Sequence, residues 1–184
     1  MTRAAPDPGS HRHVVSALVV DRPGTLNRVS GLLRARSFNI ESLTVGSTHE
    51  PDLSRMTVVI RGDEAHVHQV LAQLNRLIEV LEVTDLTHAD YVELELALVE
   101  LEPPANATAR DAVRLAVETA GGELLETDHT WRARLTAPPA AVETALTALR
   151  AVGLRALVRA GSVAMATGHP TPSTELAHSE GAPA

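Results

Sequence analysis

The stretch of this chain whose residue types suit ligand chemistry is Asp21-Arg22-Pro23-Gly24-Thr25-Leu26. It lies between a β-rich apolar run and a helical pattern. Proline fixes φ and glycine permits unusual backbone angles, so the segment has turn chemistry. A helix that begins at Thr25 offers unpaired backbone N–H groups and the positive end of its dipole. Gly24 lets a small carboxylate, such as that of a free amino acid, approach the backbone without meeting a Cβ. The same residues also make an ordinary, well-capped tight turn, and spacing alone does not choose between the two. At the matching place in the second half stands Glu102-Pro103-Pro104-Ala105-Asn106, with no glycine. A pocket of this kind therefore belongs to the first half only.

No catalytic constellation emerges elsewhere. His66 and His68 are two apart, whereas helix-face partners need three or four, so they read as solvated helix surface. Glu93 and Glu95 share one side of a strand, but their alternation with Val92 and Leu94 makes that side a solvated face. His129, near Trp131, falls at a hairpin turn. Ser42 and Ser54 have no histidine at a meaningful spacing. Gly121-Gly122 ends a helix, and no phosphate loop follows.

Composition narrows the chemistry further. The chain has 184 residues and no cysteine, which removes disulfides, Cys-based zinc sites, iron–sulfur clusters and thiol nucleophiles. All 16 basic residues are arginine, so no Schiff-base or P-loop lysine exists. A net charge of −7 argues against a general nucleic-acid or anionic-membrane surface. Phe38, Tyr91 and Trp131 are the only aromatics, too few for base-stacking platforms. With 44% apolar residues the chain has enough for a real core, but no run is long enough to span a bilayer.

The elements that must position the loop follow from apolar periodicity. His13 to Val20 reads as a buried strand. Leu26, Val29, Leu32 and Leu33 define a helix over about 25–36. Phe38 to Ser47 is a strand, followed by a turn at His49-Glu50-Pro51-Asp52. Met56, Val58 and Ile60 alternate as a third strand. Val67, Val70, Leu71 and Leu74 share a helix face after Asp63. Ile78 to Leu86 closes the first set, and its order is βαββαβ. The order then repeats. Val92, Leu94, Leu96 and Leu98 form the apolar side of a half-buried strand. Val113, Ala116 and Val117 form a helix face closed by Gly121-Gly122. Glu123 to Thr127 and Trp131 to Leu135 make a hairpin. Pro138-Pro139 open a helix bearing Val142, Ala145, Leu146 and Leu149. Leu154 to Met165 is the last strand.

The expected fold is α+β, with two tandem ferredoxin-like βαββαβ units over 13–88 and 89–166. Each unit would have an antiparallel four-stranded sheet with helices on one face. A free sheet face or edge tends to pair with another copy. Residues 1–12 and 167–184 have tail composition, and the apolar segment of a signal peptide is missing from the start; a cytoplasmic location is expected.

The loop Asp21 to Leu26 and the helix after it are similar to the ligand loop of ACT domains, which sense amino acids. The stretch Phe38-Asn39-Ile40-Glu41-Ser42-Leu43-Thr44-Val45 is more specific. With Leu53-Ser54-Arg55-Met56-Thr57 and Gly62-Asp63-Glu64 after it, it resembles the small regulatory subunits of acetolactate synthase. The resemblance runs over about 13–168, strongly in the first half. In the second half it rests mainly on layout and on Ala160-Gly161-Ser162-Val163.

The resemblance implies a non-catalytic chain with an N-terminal ACT domain and a second ferredoxin-like domain. Such a chain stimulates a large catalytic subunit and confers feedback inhibition by valine or a related branched-chain amino acid. Thiamine diphosphate, Mg2+ and FAD would belong to the large subunit, and no cofactor to this chain. The effector would sit between the ACT domains of a homodimer. Asp21, Gly24, Thr25 and Leu26 would come from one chain, and Asn39 with Ile40 from its partner. Small subunits commonly carry Asn where this chain has Asp21. An ionised aspartate accepts hydrogen bonds but donates none, so it would pair with the effector's ammonium and repel its carboxylate. Ser54-Arg55-Met56-Thr57 is a candidate contact with the large subunit, or simply a strand with Met56 in the core. The alternatives are a free-standing ACT sensor that regulates another enzyme or transcription, and an enzyme on a ferredoxin-like scaffold.

Overall fold

The computed structural model describes residues 11–35, 39–126 and 130–168. Phe38, Thr127 and His129, most of both expected tails, and the side chains of Asn39 and His66 lie outside that description. The elements run β1 (His11–Val20), α1 (Thr25–Ala35), β2 (Asn39–Ser47), β3 (Leu53–Gly62), α2 (Glu64–Leu74), β4 (Val80–Asp85), β5 (Tyr91–Leu101), α3 (Ala107–Thr119), β6 (Glu123–Glu126), β7 (Trp131–Ala137), α4 (Pro139–Ala151) and β8 (Leu154–Ala166). They form two four-stranded antiparallel sheets, ordered β2-β3-β1-β4 and β6-β7-β5-β8. This is the split βαβ order expected twice over. Two compact units result: Tyr91–Met165 together with Ser42–Thr44 form one, and the remaining described residues form the other.

In the first unit β1 is central. It pairs with β3 from His11 opposite Gly62 to Val20 opposite Leu53, and with β4 on its other side. The strand starts two residues earlier than its apolar pattern, because the β3 partner continues through Arg61 and Gly62. Val15 and Ala17 stand opposite Val58 and Met56, and all four are buried. The apolar stripes of the helices complete this core: Val29 and Leu33 on α1, and Val67, Val70, Leu71 and Leu74 on α2. Ser54, Met56 and Thr57 are buried and Arg55 is half-buried. Within this unit the Ser54–Thr57 stretch is therefore chiefly strand and core. His68 is exposed, as a solvated helix surface requires.

The second unit repeats the plan, and its helices bury the stripes their spacing predicts: Val113, Ala116 and Val117 on α3, and Val142, Ala145, Leu146 and Leu149 on α4. Gly122 marks a close approach. A Cβ there would stand 2.7 Å from both the Arg134 carbonyl oxygen and the Leu135 side chain, so the glycine pair after α3 serves packing.

One expectation is overturned here. Val92, Leu94, Leu96 and Leu98 do not face the helices of their unit; they are 39–50% exposed. The alternate set, Glu95, Ala97, Val99 and Leu101, is buried. The register explains the choice. Ala97, Val99 and Leu101 stand opposite Leu135, Ala133 and Trp131, the β7 residues of the same core. Strand parity then carries Glu95 inward with them.

Glu95 is 5% exposed and is no part of a solvated face. Its carboxylate takes two hydrogen bonds from Arg159 of β8, with Nη2 to Oε2 at 2.6 Å. Arg159 Nη1 also reaches Glu143 of α4 at 2.9 Å. The cluster thus clamps an edge strand and a helix to β5. Hydrogen bonding to Glu95 raises the Arg159 pKa against the opposing effect of burial. Burial works to raise Glu143, but hydrogen bonds from Arg150 and Arg159 outweigh it and hold the carboxyl below its ordinary 4.5.

Removing one partner of a buried ion pair costs about 3–5 kcal/mol. Arg159 is 36% exposed, so we expect Arg159→Ala to cost about 2 kcal/mol, read as a lower denaturation midpoint in urea. Because Glu143 is depressed on folding, its contribution is complete above its ordinary 4.5 and fades as pH falls through the lower folded value. The stability lost by Arg159→Ala should therefore shrink in acid. A penalty unchanged by acidification would show that the cluster adds only packing.

Candidate functional site

The Asp21–Leu26 loop is held at both of its flanks by main-chain hydrogen bonds. The Val20 N–H donates to the Glu79 carbonyl at 2.8 Å, and the Asp21 N–H to the Asp52 carbonyl at 2.7 Å. Asp52 lies in the β2–β3 turn at φ +61°, one of the few non-glycine types that tolerate this region. Between these anchors the Thr25 N–H closes a turn onto the Arg22 carbonyl at 3.2 Å. Pro23 and Gly24 are its central residues, and Gly24 has φ +97°, the pattern of a type II turn. The Gly24 carbonyl then accepts the first helical bond of α1, from Arg28 at 3.0 Å.

That arrangement leaves donors over. The N–H groups of Gly24, Leu26 and Asn27 have no partner among the described residues. Among the described residues no side chain accepts a hydrogen bond from these groups. Thr25 is 5% exposed, and its Oγ1 is buried without a partner among the described residues. Asp21, Gly24 and Leu26 are exposed. A Cβ on Gly24 would meet nothing within 4 Å, so open space lies beside the turn. The loop can hold a carboxylate on its free N–H groups, an ammonium on Asp21 and an apolar side chain against Leu26, which is 47% exposed.

The second unit tests this by contrast. At the same point in its fold the Glu102 N–H donates to the Gly153 carbonyl at 2.8 Å, as Val20 does to Glu79. But Asn106 caps α3 and accepts from the Ala109 N–H at 2.9 Å. The helix start that is open in the first unit is occupied in the second by its own side chain.

The fold brings Asp21, Gly24, Thr25 and Leu26 together. It does not bring them to Asn39 and Ile40 of the same chain. Asn39 is the first residue of β2, and the β2–β3 turn at the other end is what touches the loop. The 9 residues of β2 put Asn39 roughly 26 Å from that turn, at about 3.3 Å per residue. β2 is also an edge strand of its sheet. Two residues at this end went unremarked in the sequence: Arg28, whose guanidinium lies 2.7 Å from Glu79, and Glu79 itself. They are far apart in sequence, and nothing in local spacing pairs them. Among the described residues no three histidine or acidic side chains form a group that could hold a metal ion. Nor, among the described residues, is any helix long and apolar enough to cross a membrane.

Known proteins are similar to this chain in sequence and fold. Residues 15–82 match the model of the AHAS small subunit-like ACT domain. A probable acetolactate synthase small subunit of Archaeoglobus fulgidus is 38% identical over 170 residues, covering 86% of this chain and 98% of that one. The acetolactate synthase small subunit of Mycolicibacterium smegmatis is 35% identical over 161 residues, covering 87% and 94%. The crystal structure of the Thermotoga maritima acetolactate synthase small subunit superposes with a TM-score of 0.75 at 30% identity, covering 85% of this chain and 97% of that one. With near full-length relatives at this level and the same two-unit fold, the chain belongs to the acetolactate synthase small subunit family, the non-catalytic regulatory subunits.

Proposed function

We propose that this chain binds a large acetolactate synthase subunit in the cytoplasm, raises its activity, and makes it sensitive to valine or a related branched-chain amino acid. Thiamine diphosphate, Mg2+ and FAD belong to the large subunit. The first domain, over 13–88, carries the effector site. The second, over 89–166, contributes to dimerisation and to the active complex.

The observation that carries the effector reading is the uncapped start of α1, with free N–H groups beside open space at Gly24. The effector's carboxylate takes these donors, and Asp21 takes its ammonium. Its branched side chain lies against Leu26 and the partner's Ile40. Asn39 is too far along β2 to close the site of its own chain, which supports completion of the site by a second copy. Effector binding inhibits because it favours one arrangement of the ACT pair over another; differential affinity is the only source of such a shift.

Three outcomes check this. The chain alone forms no acetolactate, and adding it to a cognate large subunit raises the rate, which valine then lowers. If the rate and valine response stay unchanged and no complex co-elutes, the chain is a free-standing ACT sensor instead. Gly24→Asp removes valine inhibition. It forces a side chain into φ +97° and places a negative charge in the carboxylate's space; inhibition that persists would move the effector elsewhere. Asn39→Ala weakens valine by roughly 1.5–3 kcal/mol, one hydrogen bond to a charged group, read as a right-shifted inhibition curve.

A further inference from the structure

Arg28 stands where a cation is least expected. It is in the first turn of α1, whose dipole disfavours positive charge at that end. Helical side chains lean toward the N-terminus, so Arg28 covers the turn before it, the one that begins at Gly24. Glu79 compensates it, with Nη1 to Oε1 at 2.7 Å. The pair is unequal. The Glu79 side chain is 16% exposed, and its Oε2 is buried with no partner among the described residues; the Arg28 side chain is 63% exposed. A guanidinium has five N–H donors, so a single carboxylate oxygen leaves most of them for a second anion. The anchoring is also specific, since the Glu79 carbonyl receives the Val20 N–H just before the loop.

We propose that Arg28 is a receptor for the effector's carboxylate, held ready by Glu79 and shared with it on binding. This rests on the effector site argued above and adds the charge that site lacks. The free N–H groups carry only partial charge, and Asp21 repels a carboxylate. Arg28 offsets that repulsion and makes the site selective for ligands with a free α-carboxylate. Because Glu79 immediately precedes β4, sharing Arg28 also transmits occupancy to that strand. A carboxylate arriving at Arg28 must compete with the charge of Glu79, so the two residues act on affinity in opposite directions.

The test is calorimetry on the full chain with L-valine and L-valinamide, which lacks the carboxylate. Arg28→Gln raises the valine dissociation constant about tenfold, as expected for a lost charge-assisted hydrogen bond. Arg28→Lys falls between, since it keeps the charge and loses the fork. Glu79→Gln, which removes the competing charge, tightens valine by about threefold. The preference for valine over valinamide shrinks by about tenfold in Arg28→Gln. If Arg28→Gln and Glu79→Gln weaken valine alike, with the valinamide ratio unmoved, the pair is a brace for the helix and the inference fails. A wild-type chain that binds no valine defeats the effector reading itself, an outcome distinct from wild-type binding that the variants leave unaltered.

Discussion

The first unit depends on how the chain leaves β1. Two hydrogen bonds at consecutive residues, Val20 to Glu79 and Asp21 to Asp52, tie the end of the central strand to the α2–β4 connection on one side and the β2–β3 turn on the other. With its entry held at two points, the loop makes a tight turn through Pro23 and Gly24 and delivers α1 with its first N–H groups uncapped. Buried main-chain donors almost always find partners, but exposed ones at a helix start are available to a ligand. The open helix end is thus a product of strand pairing some distance away.

The duplicated architecture shows that this is a choice and not a property of the fold. Both units turn from a central strand into a helix, and both pin the turn to the connection before the last strand of the sheet. In the second, Asn106 satisfies α3 from within. A βαββαβ unit can therefore have its loop sealed or open by changing a few residues between strand and helix. The second unit spends its charge on structure instead. Glu95, Arg159 and Glu143 join β5, β8 and α4, and the buried carboxylate is tolerable because its hydrogen bonds are met by an arginine fork.

The stripes on α2, α3 and α4, half of that on α1 (Val29 and Leu33 are buried, Leu26 is not), the order of elements and the loop with glycine at its turn were legible because each is written in local periodicity or local backbone chemistry. The inward side of β5 was not. From Val92 to Leu101 both alternate sets contain apolar residues, so a period of two describes either choice. Burial was settled by which β7 residues stand opposite. The burial of Glu95 is hidden from periodicity for the same reason: its partner Arg159 is 64 residues away, and no spacing rule connects them.

What the sequence determined by itself was the architecture, two βαββαβ units, and a glycine-bearing turn before a helix that only the first of them has. Helical and strand periodicities and turn residues act over a few positions and need no distant partner. What tertiary structure decided was every relation between residues remote along the chain: the pairing of Arg28 with Glu79, the burial of Glu95 against Arg159, and the separation of Asn39 from the loop. Sheet order and strand register set those distances, and a strand's two faces look alike until a neighbour covers one of them.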